Sequence, residues 1–302
     1  MQKVTTNIKE LVEKPKKTLS DFLISAPIKI QIDEMVGMKD GQRFIASILS
    51  AFSSNKKLLG IQDNLDFNTL LSAAFLGESL KLMPGSMFGH YHFVPFNNSK
   101  TGQKDISFII GVRGIIQLAL RSGCYKKINA MEVKRGELIR HDPFAEIIEL
   151  KFIDDEIERE KRETIGYFAR IETNGFSKEL FWSKRKMKNF AERYSKSFKY
   201  YGGLKTFEKL EATNFKEISN YSDSYWHFDF DGQSNKTMLR HIITHWGIMT
   251  PELQFAFEKD IIDLNDTNDF QNSEIIDIPQ KNIEKAEILN AETGNEILFG
   301  EK

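Results

Sequence analysis

The sequence predicts an α+β fold, and three observations carry that prediction. Apolar residues keep helical spacing over residues 41–83, the pattern changes to strand-like alternation from residue 91, and helical spacing returns by residue 236.

The first 40 residues are polar and lysine-rich with little periodicity, which predicts a loosely ordered arm over 1–40. A helical N-terminal lobe follows. GQRFIASILSAF (41–52) places Phe44, Ile48, Leu49 and Phe52 on one stripe, and Asp66 or Asn68 caps NTLLSAAFLGESLKL, which Pro84-Gly85 ends. YHFVPF (91–96) and ISFIIGV (106–112) then alternate around a polar loop, as a hairpin does. Further strands are expected at INAMEV (128–133) and EIIELKFI (146–153). IGYFARIE and FSKELFW form a second hairpin about Asn174-Gly175, the strongest short turn signal in the chain. DDEIEREKRE (154–163) reads as a solvated loop or short exposed helix. Ser183 caps KRKMKNFAERYSK. QSNKTMLRHIITHWGI returns to helical spacing through Met238, Leu239, Ile242, Ile243 and Trp246, and Thr250-Pro251 opens one more short helix.

With 302 residues and 40% apolar content the chain can support a sizeable core. Its longest apolar runs, such as FIIGV at 108–112, fall far short of the ~20 residues a membrane helix needs. The opening MQKVTTNIKELVEKPKK lacks the apolar segment of a signal peptide, so a cytoplasmic protein without a membrane partner is expected. A single cysteine, Cys124, excludes an internal disulfide and a multi-cysteine zinc site.

The net charge is −1, but it is unevenly spread. Residues 251–302 hold 13 acids against four lysines, a net of −9, which leaves +8 on residues 1–250. A basic body ahead of an acidic, polar tail suggests a polyanion-binding domain over 41–260, followed by a flexible contact or screening segment over 261–302.

The chemistry concentrates in GVRGIIQLALRSGCYKK (111–127). A helix running from Gly114 to a cap at Gly123 sets Arg113, Gln117 and Arg121 at i, i+4 and i+8 on one face, opposite Ile115, Leu118 and Ala119. That stripe matches the reach of phosphate oxygens along a backbone, and Lys126 and Lys127 add charge just beyond it. Arg113 at a helix start opposes the dipole unless an anion is present. A second basic element, 178–209, carries ten Lys/Arg against three acids and eight aromatics, with Lys184, Arg185 and Lys188 on its helix. Cations that follow a backbone and rings that stack on bases suit single strands. Third, Lys236 and Arg240 are i, i+4 beside Asn235 and Thr237, near an expected helix N-terminus that would attract phosphate.

Rival chemistries have weaker signals. His241 and His245 have a zinc-compatible spacing, but the run reads HIITH, without the glutamate of HExxH. Asp142 with Glu149-Leu150-Lys151 has the residue types of a two-metal nuclease. No GxxxxGK[ST] occurs, so no nucleotide cofactor is called for.

FIIGVRGIIQLALRSGCYKKINAMEVKRGE resembles the signature of RecT-type phage recombinases, in which a glycine, basic residue, glycine segment runs into IQLALRSG and then a strand ending in glycine-glutamate. The likeness extends in order from about 41 to 260, through LLSAAFLGESLKLMPG, IGYFARIETNGFSKELFW and NKTMLRHIITHWGIMTPE. It implies an ATP-independent protein without covalent chemistry that binds single-stranded DNA, oligomerises as a ring or helical filament, and anneals complementary strands into duplex. It implies a small antiparallel sheet packed with helices around a positive groove, with Arg113, Arg121, Lys126, Lys236 and Arg240 in the DNA site. A phage exonuclease and the host single-strand-binding protein are the partners expected, the latter through the acidic tail. Val112 stands where an aromatic is usual. The alternatives are a single-strand binder that does not anneal, and a metal-dependent nuclease.

Overall fold

The computed structural model of the chain describes residues 18–85, 88–221 and 224–260. The tail over 261–302 and residues 1–17 of the expected arm lie outside these. From Leu19 onward the arm is not loose. Helices α1 (Leu19–Ile24) and α2 (Ala26–Val36) are ordered by local and core contacts together. Thr18 Oγ1 accepts the Asp21 N–H (3.2 Å) while the Asp21 carboxylate accepts the Thr18 N–H (3.1 Å), a reciprocal cap. Leu19, Leu23 and Ile32 are buried in the main core, and the Phe22 and Phe67 rings meet at 5.6 Å.

Helix α3 (Gly41–Ser53) buries Phe44, Ile48 and Phe52 as its spacing predicts, with Leu49 half-buried. After α4 (Lys56–Gly60), helix α5 (Phe67–Ser79) is capped by Asp66, which accepts the Asn68 N–H at 2.9 Å. It stops short of Pro84-Gly85, because Lys81 turns into the left-handed region (φ 53°) and the Leu82 N–H reaches back to Gly77 O (2.9 Å). Against α5 lies a two-stranded antiparallel sheet of β1 (Tyr91–Asn97) and β2 (Lys104–Ile110), in register from Tyr91↔Ile110 to Asn97↔Lys104. Tyr91, Phe93, Ile106, Phe108 and Ile110 form its buried side.

Helix α6 (Val112–Arg121) leads into β3 (Tyr125–Lys134). The short hairpin β4 (Leu138–Asp142) and β5 (Ile147–Leu150) comes next, then α7 (Glu156–Lys161), β6 (Thr164–Thr173) and β7 (Ser177–Ser183). The expected single sheet is therefore three small antiparallel ones: β1-β2, β3-β6-β7 and β4-β5. Strand β5 is shorter than 146–153, since residues 151–153 leave the ladder. Helices α8 (Lys184–Tyr194), α9 (Lys196–Tyr200), α10 (Gly203–Ala212) and α11 (Tyr225–Phe228) pack around a buried aromatic cluster that includes Phe198, Phe207 and Phe230. Helix α12 (Phe230–Trp246) lies on β6 and β3, with Tyr167 donating to Asp231 Oδ1 at 2.6 Å. Helix α13 (Pro251–Asp260) packs on β2 and α6.

Candidate nucleic-acid interface

The start of α6 is built around glycine. The Gly111 N–H donates to His90 O at 2.8 Å. A Cβ on Gly111 would lie 2.2 Å from Gly89 O, and one on Gly114 2.1 Å from His90 O. Any side chain at either position would push the 89–90 backbone off the helix. Gly89 itself sits at φ 63°, and a Cβ there would be 3.4 Å from Arg113 Cδ. The GVRG run thus lets the 88–90 loop lie on the first turn of α6, under the stem of Arg113.

The helix begins at Val112, two residues earlier than its spacing predicts, and Gly123 (φ 71°) follows its end. It buries Ile115, Leu118 and Ala119 and exposes Arg113, Gln117 and Arg121, so the predicted stripe shares one solvent face. Arg121 has a second engagement. Its guanidinium donates to Leu80 O (2.7 Å) and, at longer range, to Lys81 O (3.5 Å), so it caps the carbonyl end of α5 where a cation suits the dipole. Beside these arginines is His90. Its Nδ1 accepts the Met83 N–H at 3.2 Å, and its pKa is held below the usual histidine range by partial burial and then by the charges of Arg113 and Arg121. Past the helix, Lys126 and Lys127 are exposed on β3, with Lys127 paired to Glu172 across the sheet (3.0 Å).

Of the other five predicted basic residues, four pair with acids. On α8, Lys184 (2.8 Å) and Lys188 both pair with Glu211 of α10, while Arg185 is exposed and has no partner among the described residues. Of the eight aromatics in 178–209, Trp182, Phe198 and Phe207 are core, Phe181, Phe190, Tyr194 and Tyr201 are half-buried, and Tyr200 alone is exposed (84%). On α12, Lys236 (3.3 Å) and Arg240 (2.6 Å) pair with Asp260, whose exposure is 5%. Arg240 also donates to Phe257 O (2.9 Å), and Asp260 Oδ1 accepts the Ile110 N–H (3.0 Å). Nor is Lys236 at the helix N-terminus. The helix starts at Phe230, capped by Asp229 and with Asp231 in its first turn, an acidic end that repels phosphate.

The rival readings take structural roles. His241 packs against Trp182 (ring centroids 4.7 Å) and His245 (4.0 Å), and burial pushes its pKa down to about 3, with His245 and Lys186 adding to the shift. The Asp142 carboxylate caps the β4–β5 turn through the N–H groups of Phe144 (3.2 Å) and Ala145 (3.1 Å) and pairs with Arg140. Among the described residues, no three His, Cys, Asp or Glu side chains gather as a metal site, and no helix is long and apolar enough to cross a membrane.

The sequence did not place Phe88 or His90 beside this helix. Phe88 lies on no periodic element, His90 reads with His92 as part of an alternating strand, and only the glycines at 111 and 114 hinted that another backbone lies against them.

Comparison with known proteins matches residues 42–277 to the model of the RecT family. The chain is 30% identical over 285 residues to the Bacillus subtilis (strain 168) protein named "Uncharacterized protein YqaK", covering 91% of this chain and 84% of that one. It is 41% identical over 76 residues to "Protein RecT" of Escherichia coli (strain K12), covering 24% of this chain and 28% of that protein.

Proposed function

The chain belongs to the RecT family, and on that premise we propose that it binds single-stranded DNA and anneals complementary strands without ATP, oligomerising on the DNA as a ring or filament. One observation carries the reading to particular residues. Arg113, Gln117 and Arg121 share the exposed face of α6, and the 88–90 loop is locked beneath the first of them. Guanidinium and amide donors one helical turn apart suit successive phosphates, and Lys126 and Lys127 continue the positive surface. The protein then acts by charge and geometry, with no bond made or broken. Residues 41–260 do the binding and annealing. The acidic 261–302 segment, with its apolar clusters IIDIP and EILFG, recruits a partner such as the host single-strand-binding protein, and a phage exonuclease supplies the strands.

The test is the rate at which two complementary oligonucleotides pair, followed by fluorescence with and without nucleotide. Acceleration that needs no ATP is expected. A protein that shifts one strand but does not speed pairing is a binder only, and strict ATP dependence contradicts the proposal.

A further inference from the structure

The α6 stripe presents cations and an amide, which grip phosphates, but α6 carries no aromatic ring on which a base could stack. The loop beneath it does. Phe88 is exposed (45%), and its ring lies 6.0 Å from that of His90 at a tilt of 40°. The loop is not a loose connection. The Gly89 N–H donates to Gly85 O (3.0 Å), the Gly85 N–H to Tyr91 O (3.1 Å), and the carbonyls of 89 and 90 press on the glycines of α6. A rigid aromatic side chain held in solvent beside basic residues costs apolar exposure that the core does not recover, and stacking on a base repays it.

His90 adds a directed donor. Because Nδ1 accepts the Met83 N–H, the neutral ring carries its proton on Nε2, and Nε2 has no partner among the described residues. The groups that act on the ring are the Arg113 and Arg121 guanidiniums from α6, the Met83 N–H from the segment after α5, and the Phe88 ring of its own loop. Arg113, Arg121 and His90 therefore lie within electrostatic reach of one another.

We propose that Phe88 and His90 form a nucleotide subsite beside the α6 stripe, the Phe88 ring receiving a base and the His90 Nε2–H donating to the adjoining phosphate. This rests on the DNA-binding reading above and adds to it that the protein holds bases as well as backbone. It also makes binding draw in a proton. In the free protein partial burial, and after it the charges of the two arginines, favours the neutral form of His90, and a bound phosphate offsets the arginines' charge and favours the imidazolium.

The test compares a thymidine oligonucleotide with an abasic oligonucleotide of the same length, by fluorescence anisotropy across pH, for the full chain and two variants. Phe88→Leu keeps an apolar side chain and removes the ring. His90→Asn keeps an acceptor for Met83 and removes the titration. Phe88→Leu is expected to weaken thymidine binding about tenfold and to leave abasic binding within about twofold. Wild-type affinity is expected to rise about threefold or more from about pH 7.5 to about pH 6, and His90→Asn to flatten that rise and, lacking the Nε2–H donor, to bind more weakly than wild type throughout. The subsite is overturned if Phe88→Leu lowers both affinities equally or neither, or if His90→Asn keeps the full pH slope. A wild-type protein that binds neither oligonucleotide sinks the DNA-binding reading itself, and the subsite with it. Matching melting temperatures show that the variants are folded.

Discussion

Helices α6 and α12 each carry basic side chains four residues apart, and they use them in opposite ways. On α6 the stripe of Arg113, Gln117 and Arg121 faces solvent, and its apolar side is shut into the core. On α12 the pair Lys236 and Arg240 faces Asp260, a carboxylate at the end of α13 that also accepts the backbone of β2. Spacing puts two cations on one side of a helix, but the nearest acid decides whether they bind a ligand or hold the fold. The α6 cations lie on a solvent-exposed face, whereas the α12 cations are tied to a buried acid.

The sharpest way to break that contrast is Arg240→Ala. The side chains of Arg240 and Asp260 are 13% and 4% exposed, and removing one partner leaves a buried carboxylate short of a cation. Loss of about 3–5 kcal/mol of stability is expected, read as a large fall in denaturation midpoint. If the variant instead melts like wild type and loses DNA affinity alone, α12 belongs to the binding face and the contrast is wrong.

Acid provides the next test, because it loads the two helices differently. The pKa of His241 on α12 is pushed down to about 3, first by burial, from the ordinary histidine value of about 6.5. The unfolded chain therefore takes up a proton first as pH falls. The stabilising contribution is complete above about pH 6.5 and is lost progressively on the way down toward 3, by up to about 1.4 kcal/mol per pH unit. His241→Phe, which keeps a ring against Trp182, should flatten the decline in melting temperature below pH 6.5 and leave oligonucleotide affinity unchanged.

Arg121 is intermediate between the two cases, since it faces solvent on α6 while capping α5. Arg121→Ala should cost ~1–3 kcal/mol of binding and about 1 kcal/mol of stability through the lost contacts to Leu80 O and Lys81 O. Equal and large losses in both measurements would move it to the α12 class.

What the sequence made legible follows the reach of its interactions. The Ser183 and Asp66 caps, the Asn174-Gly175 hairpin and the two faces of α6 depend on residues within a turn or two of one another, and all of them are present. The fates of the basic residues depend on distant acids. Glu211 lies more than twenty positions from the lysines it neutralises, and Asp260 stands twenty after Arg240. Helix α1 was hidden for another reason. Leu19 and Leu23 are its buried residues, too few to show a period, although Thr18 and Asp21 already spelled its cap. Strand β4 shows little alternation because none of its residues is fully buried.

The smallest expected effect concerns α8, where the contrast can be tuned rather than broken. Glu211 is half-buried between two ammonium groups, which hold its carboxyl below the usual range despite the upward push of burial. With their charge answered locally, Lys184 and Lys188 release few counterions from DNA. Lys184→Ala should thus leave the slope of log affinity against log salt unchanged, whereas Arg113→Ala should lower it by ~0.7. Glu211→Gln separates the two ways α8 can be silent. If its lysines lie within reach of the strand and are only neutralised, freeing them steepens the slope by up to about 1.4, two contacts' worth. If α8 faces away from the strand, the slope stays where it was and only a modest loss of stability appears, because the two lysines then lose a partner without gaining a phosphate. A steeper slope would add α8 to the face that α6 begins, and an unchanged one would leave α6 and the strand after it as the basic surface that touches DNA.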